Sequence, residues 1–371
     1  MFVMFLKKQV NKPTYGRERK GRDVMSQRYS PQTVEDFCQA LLMATRVPED
    51  EAKIVSSVLV DTSLDGIDTH GISRLPIYLS RLVNGRINPK PLIQRKMNGA
   101  VASVDGDNGL GQLVAYRSME VAIDLAKEFG IGFVTVKNSN HFGAASTYCK
   151  MAANQQMIGQ AYTNSPCGIP PWGGISPYFG TNPISYGFPN GEEPVIVDMS
   201  SSTVARGNII IAAKEGRSIP EGWAIDKEGK PTTDAKAALQ GAVLPVGGAK
   251  GYALALAAEI MSGIISGSAY GTHVGWIYDD ALDPVNIGHS FFALDISRLM
   301  PVVDYTQRMS DMIGEIKKIP RAEEVDAIRI PGERRQSIAE ERQKNGIPVN
   351  DGLLQELNEL AGKFGLPSLN K

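Results

Sequence analysis

Apolar and polar positions along this chain recur with a helical period near both ends and with a strand-like pattern in the middle. Two amphipathic stretches come first. One runs over 31–45 with Phe37, Leu41 and Leu42 on its stripe, the other over 49–64 with Ile54, Val55, Val58 and Leu59. A shorter helical run at 73–81 ends at the turn Asn84-Gly85, and Asn88 to Pro91 makes an extended connector. The pattern then predicts a strand at 100–104 and a helix at 113–129 stopped by Gly130. A nearly all-apolar strand of the buried kind follows at 131–136, then a helix at 145–154 and a strand at 158–163. Residues 164–182 are rich in Gly, Pro, Ser and Asn, and so long an irregular segment inside a domain is usually functional. Strands at 184–188 and 195–197, a hairpin turn at 226–229 and a strand at 290–295 complete the middle. The run 251–266 is so apolar that it is expected to be a deeply buried helix. Helices at 305–318, 334–345 and 351–364 close the chain.

Helix and strand alternate, but not in the even rhythm of a doubly wound sheet. The expected fold is mixed α/β: a central mixed sheet built by 116–299, and a helical lobe in which 25–115 packs with 300–371. Residues 1–24 are an apolar stub ahead of a basic run, the wrong order for a secretory signal. They read as a disordered basic arm or a misread start, with Met25 as the natural beginning. A mitochondrial-type presequence is the weaker reading, since no clear amphipathic helix is present.

Composition narrows the function. Of 371 residues, 39 are Lys or Arg and 40 Asp or Glu, so no charge surplus points to nucleic acid or an anionic membrane. No apolar run approaches the roughly 20 residues of a spanning helix. Cys38, Cys149 and Cys167 form no C-x-x-C pair, which suits a reducing cytoplasm. The four histidines, His70, His141, His273 and His289, show no metal-ligand spacing.

Candidate chemistry gathers at a few places. In Asp65 to Tyr78, His70 stands beside a glycine and is followed by Arg74 and Tyr78, which share a helix face. An imidazole passes a proton at neutral pH, and a guanidinium grips a carboxylate with two parallel hydrogen bonds. A loop histidine that merely caps the helix is the plain alternative. Asn138 to Ala144 puts His141 at the carboxyl end of a buried strand, where open α/β sheets place ligands. Its alternative is a turn histidine satisfied by a backbone carbonyl. Phe179 to Pro183 offers Thr181 and Asn182 as donors. Val195 to Ser202 ends an apolar strand in Asp198, Met199 and Ser200, where the acid suits ribose hydroxyls or simply caps the next stretch of chain. Gly247 to Tyr252 opens the apolar helix with Lys250, an anion site if the backbone N–H groups are free. Gly109-Leu-Gly111 imitates a dinucleotide fingerprint, but the next strand runs into Lys137 and Asn138 and not into an acid, which argues against a classical Rossmann site. No G-x-S-x-G elbow occurs.

Taken in order, Thr69-His70-Gly71 with Arg74, Asn140 to Gly143, Gly180 to Pro183, Asp198 to Ser200, Lys250-Gly251 and Pro331 to Arg334 resemble the malate/L-lactate dehydrogenase-like family over about residues 29–371. That family also holds ureidoglycolate, sulfolactate and 2,3-diketogulonate dehydrogenases or reductases, and it is distinct from the Rossmann-fold lactate and malate enzymes. The resemblance implies a non-Rossmann NAD(P)-binding fold and a homodimer with sites near the subunit interface. It also implies hydride transfer between nicotinamide C4 and C2 of a 2-hydroxy or 2-oxo acid. By residue, it implies His70 or His141 as proton donor or acceptor. Arg74 would hold the substrate carboxylate, with Thr69, Tyr78 and His141 also lining the substrate. It implies Ser165, Thr181, Asn182, Asp198, Met199, Ser200, Lys250, Gly332, Glu333 and Arg334 against the dinucleotide, and no metal. Many relatives carry serine where this chain has Thr69; the hydroxyl is kept and the added methyl tightens the pocket. NAD is placed ahead of NADP, although Asp198 does not decide between them. A redox-neutral lyase or isomerase of hydroxy acids and a non-catalytic dinucleotide sensor are the rivals. Binding of NADH or NADPH separates the first from a dehydrogenase, and turnover of 2-oxo acids the second.

Overall fold

The computed structural model describes residues 26–191, 193–279, 284–323 and 325–370. The expected arm at 1–24 and the start at Met25 lie outside them. In chain order β1 (Ser26–Tyr29), α1 (Pro31–Ala44), α2 (Glu49–Leu64) and α3 (Leu75–Val83) come first, with a 3-10 turn at Ile72–Arg74 leading into α3. They are followed by β2 (Gln94–Asn98), β3 (Val101–Asp105), α4 (Gly111–Phe129), β4 (Ile131–Ser139), α5 (Ala145–Ala153) and β5 (Met157–Thr163). Beyond the irregular segment lie β6 (Ile184–Phe188), β7 (Val195–Met199), α6 (Arg206–Lys214), β8 (Ala224–Ile225), β9 (Pro231–Thr232), α7 (Ala235–Gln240), β10 (Ala242–Val243) and α8 (Ala249–Glu259), which continues as a π turn over Ile260–Ile264. The chain ends with β11 (Ile287–Asp295), α9 (Val302–Lys318), α10 (Glu333–Asn345), β12 (Ile347–Asn350) and α11 (Asp351–Lys363).

Local chemistry sets many of these bounds. Ser30 Oγ accepts from the Thr33 N–H at 3.0 Å and Pro31 occupies the first helical position, which starts α1. Asn350 Oδ1 accepts from the Leu353 N–H at 2.9 Å and starts α11. Glu49, Asp50 and Glu51 fill the first turn of α2, favourable at the positive end of the helix.

Seven strands form the central sheet in the order β2-β3-β4-β11-β5-β6-β7. Only β3 and β4 run parallel; every other neighbouring pair is antiparallel. The sheet is therefore mixed, as the uneven rhythm of elements implied. Helices α4 and α5 cover one side through Met119, Ala122, Tyr148 and Ala152, which pack with Val134, Ala161 and Phe291. A boundary at residue 115 does not follow the sheet, because β2 and β3 belong to it. Ala102 and Val104 of β3 alternate inward onto the same core, which ties that strand to β4.

The two chain ends do meet. β1 pairs antiparallel with β12, Tyr29 opposite Ile347, and the core of this lobe joins Leu41, Leu59 and Leu79 to Val349 and Leu357. Helix α9, expected in the same lobe, buries no residue of its own. A small body unforeseen in the sequence comprises α6, α7 and the sheet β10-β8-β9 around Ile209, Ala224 and Val243.

The expectation for 251–266 requires correction. Gly251, Ala255, Ala258, Glu259, Ser262 and Gly263 face inward, while Leu254, Leu256, Ile260, Ile264 and Ile265 are exposed. Small residues let this stretch lie close to the body, and its large apolar side chains form a second, uncovered face. Among the described residues no helix is long and apolar enough to cross a membrane.

Leu79, fully buried on the helix that carries Tyr78, sits in the core of the two-ended lobe. Leu79→Ala is expected to cost about 2–5 kcal/mol of folding free energy, seen as a lower denaturant midpoint.

Candidate active site

The loop after α2 is held from three sides. Ser63 Oγ donates to the Leu59 carbonyl at 3.0 Å and accepts from the Ile72 N–H at 3.0 Å. A Cβ on Gly71 would stand 2.1 Å from that oxygen, so the residue after His70 has to be glycine. Lys150 of α5 binds both oxygens of the buried Asp65 carboxylate at 2.6 and 2.7 Å. Arg342 of α10 reaches Asp68 at 3.0 Å.

This frame presents His70, with Nδ1 2.8 Å from the Thr69 hydroxyl. Arg74 donates from Nε to the Thr69 carbonyl at 2.5 Å, and from Nη1 to the hydroxyl of Tyr278, whose ring also lies 5.8 Å from the guanidinium carbon. Tyr78, one turn on, is buried, and its hydroxyl lies 2.6 Å from His141 Nδ1. The His70 and His141 rings are 5.5 Å apart between centroids.

His141 arrives from the end of β4. Asn140, buried beside it, donates to the Asn108 and Gly109 carbonyls at 3.2 and 2.8 Å and clamps the loop before α4 onto this strand end. A Cβ on Gly111 would lie 2.2 Å from the Asn140 carbonyl oxygen and 2.4 Å from that of His141. The glycine that imitates a dinucleotide fingerprint is there because α4 begins in contact with the His141 backbone. His289 belongs to the fold: it is fully buried between Thr163 and Ser139 hydroxyls, each at 2.8 Å, and stacks on Phe142.

Burial disfavours the charged imidazoles, and Arg74 adds to that effect. Burial first, then the Arg74 charge, pulls His70 down to about 4, although Asp198 opposes them. Burial first, then the neighbouring His70 and Arg74, holds His141 well below the ordinary histidine value. Two neutral imidazoles beside a guanidinium can exchange a proton with a small anion held there.

Other expected positions divide. Asp198, at the end of β7, binds Arg335 of α10 at 2.8 Å, and the same guanidinium reaches the Ser146 hydroxyl at 3.0 Å. That arginine was missed; the expected Arg334 is exposed, one position away on the helix. Glu333 is engaged at the start of α10, where it accepts from the Ile330 N–H at 3.0 Å and pairs with Lys317. Gly332 opens that helix, Met199 is exposed, and Ser200 shares a 3.0 Å hydrogen bond with Ser202. Ser165 accepts from the Thr181 N–H at 3.0 Å. Asn182 is engaged within the fold: its side chain is fully buried, donates to Glu259 at 2.6 Å and to the Ala255 carbonyl at 3.0 Å, and accepts from the Ser165 N–H at 3.3 Å. Glu259, also buried, takes a further bond from the Gly271 N–H at 2.8 Å; the only trace of it in the sequence is an acid inside an apolar run. Lys250 stands exposed in the first turn of α8. A cleft of about 350 Å³ opens between α2, α5, β7 and α10, with Asp61, Lys150, Pro194, Gly332 and Arg335 on its walls.

A family model described as malate/L-lactate dehydrogenase matches residues 29–358. A malate dehydrogenase of Pyrococcus horikoshii is 40% identical over 342 residues, 90% of this chain and 94% of that one. A (2R)-3-sulfolactate dehydrogenase (NADP(+)) of Chromohalobacter salexigens is 34% identical, covering 91% of this chain and 99% of its own. The structure of sulfolactate dehydrogenase from Methanocaldococcus jannaschii superposes with a TM-score of 0.87 at 38% identity, over 92% of this chain and 98% of that one.

Because His70 and His289 titrate lower in the folded chain, to about 4 and about 3, the unfolded chain binds more protons below pH 6.5. Stability carried by these neutral rings is whole above that pH and is lost as acid approaches the folded values. His289, when fully protonated only in the unfolded chain, contributes a loss of about 1.4 kcal/mol per pH unit. Denaturant titrations at pH 7, 6 and 5 should show the midpoint falling steadily; a flat series contradicts the depressed imidazoles.

Proposed function

The chain belongs to the malate/L-lactate dehydrogenase family and is an NAD(P)-dependent hydroxy-acid dehydrogenase, and from its site we propose hydride transfer at C2 of a small 2-hydroxy or 2-oxo acid such as malate, lactate or sulfolactate. The observation that carries this reading is the convergence of His70, His141, Arg74 and Tyr78 from two distant segments on one place. When bound, the nicotinamide supplies or receives the hydride. The protein's part is to hold the acid and to handle the proton.

Arg74 takes the substrate carboxylate, sharing it with the Tyr278 hydroxyl that it already binds. A histidine of the pair takes the hydroxyl proton during oxidation. Its neutrality makes it a competent base, and an arriving carboxylate offsets the Arg74 charge that adds to the effect of burial. Such general base help is typically worth about 10²–10⁴ in rate.

For the dinucleotide, Ser165, Thr181, Asp198, Met199, Ser200, Lys250 and Gly332 remain the proposed wall, Arg335 joins it, and the engaged Asn182 and Glu333 and the exposed Arg334 are set aside. Helix starts at Lys250 and Gly332 fit an anionic diphosphate. The adjoining cleft carries Asp61, Glu193 and Glu340, while its Lys150 and Arg335 are already neutralised by Asp65 and Asp198. A 2′-phosphate meets repulsion there, which supports NAD over NADP. The three free cysteines support a reducing cytoplasm. The uncovered face of Leu254, Leu256, Ile260, Ile264 and Ile265 supports a homodimer, with a second copy as its occupant.

A panel of 2-oxo acids with NADH and with NADPH tests the reading; absence of turnover with every pair ends it. Arg74→Lys should raise KM at least tenfold through loss of the planar fork, and an unchanged KM removes its carboxylate role. Ile260→Asp combined with Ile264→Asp should yield monomers by sedimentation, whereas a monomeric parent chain would refute the dimer.

A further inference from the structure

Gln112 is the second residue of α4 and is fully buried, yet neither its amide nitrogen nor its amide oxygen closes a hydrogen bond. An unpaired buried amide is costly and calls for an explanation at this place. The start of α4 is pressed onto the His141 backbone at Gly111, which carries the next side chain to the floor of the site. There its nitrogen stands 3.9 Å from where a Cβ of Gly143 would be, and its amide lies near enough to the Tyr78 hydroxyl to bear on that group's acidity. The Tyr78 hydroxyl in turn meets His141 Nδ1 at 2.6 Å. Glutamine, tyrosine and histidine thus stand in a row, drawn from α4, α3 and the end of β4. The first contact of the row is looser than a closed bond.

We infer that Gln112 is a positioning residue: its amide N–H, donated to the Tyr78 oxygen, turns the hydroxyl proton toward His141 Nδ1 and so fixes that imidazole as the tautomer bearing its own proton on Nε2. A partner on one ring nitrogen decides what the other can do. The consequence for catalysis rests on the dehydrogenase reading above. As hydride adds to C2 of the 2-oxo acid, the carbonyl oxygen takes the Nε2 proton and Nδ1 takes the Tyr78 hydroxyl proton. The phenolate left on Tyr78 is held by the Gln112 N–H and recovers its proton from His141 Nδ1 as Nε2 is reprotonated from solvent, which restores the starting tautomer. Burial lifts the Tyr78 phenol well above its ordinary value, while Arg74 and Gln112 oppose that rise, so loss of the amide makes this step harder. The charged and titratable groups acting on His141 are His70, Arg74 and His289.

The test is nitrogen-15 NMR of enzyme labelled only at histidine, whose four imidazoles can be assigned by single replacements. The expected result is His141 protonated on Nε2 in the parent chain, a mixture of tautomers in Gln112→Met, and mainly Nδ1–H in Gln112→Glu, whose carboxylate only accepts. A parent His141 protonated on Nδ1 overturns the inference, and so does one tautomer common to all three chains. The parent spectrum decides even if the variants fail to fold. In kinetics, Gln112→Met should lower kcat for oxo-acid reduction by about tenfold or more while KM stays within about threefold. An unchanged kcat overturns the catalytic consequence. Because the tautomer is read without turnover, a chain that reduced no 2-oxo acid would refute the dehydrogenase reading and leave the Gln112 assignment standing.

Discussion

The site depends on a contact with no spare room. Helix α4 begins so close to the strand end that delivers His141 that a single methyl at Gly111 would overlap two carbonyl oxygens. That approach fixes the height of His141 against α3, and with it the 2.6 Å contact to Tyr78. Burial is the main reason both imidazoles are neutral. A looser junction would leave the same side chains present but solvated, charged in mild acid and free to rotate. Two features with separate sequence signatures, a strand-end histidine and a glycine pair ahead of a helix, are therefore parts of one packed joint.

A second joint links the sheet to the chain's carboxyl end. Asp198 closes β7, and Arg335 reaches it from α10 while also touching Ser146 at the start of α5. Asp198 acts electrostatically on His70 as well, in the direction opposite to Arg74. The proposed cofactor wall and the proton-handling pair thus share one field. Arg335 also acts on that imidazole directly and in the same direction as Arg74, even though the arginine is not placed against the substrate.

Much of this was legible in the sequence where a local pattern decides the outcome. Helices α1, α2, α4, α5 and α11 follow apolar periodicity and cap residues, and strands β4, β5 and β6 follow their apolar runs. The His70-to-Tyr78 stretch and the His141 loop carried their chemistry in residue type and spacing. The illegible features depend on partners far away in the chain. Asn182 looks like a loop donor until the buried Glu259 is found opposite it. Arg334 and Arg335 are equivalent in sequence, and only the rotation of α10 selects the second. The apolar run of α8 gives no hint that its small residues face in and its large ones out. The strand β2 is exposed throughout and polar but for Met97, so nothing in its pattern announced a place at the sheet edge.

The pairing of β1 with β12 has a consequence for how the molecule is made. The sheet, with His141 on its rim, is complete once β11 has been synthesised. The lobe that holds His70, Arg74 and Tyr78 still lacks Ile347, Val349 and Leu357 at that moment. A nascent chain on the ribosome therefore carries one half of the active site on a finished scaffold and the other half on unsupported helices. The segment from Ile347 to Leu369 acts as the keystone, and its deletion disables chemistry that lies almost three hundred positions upstream.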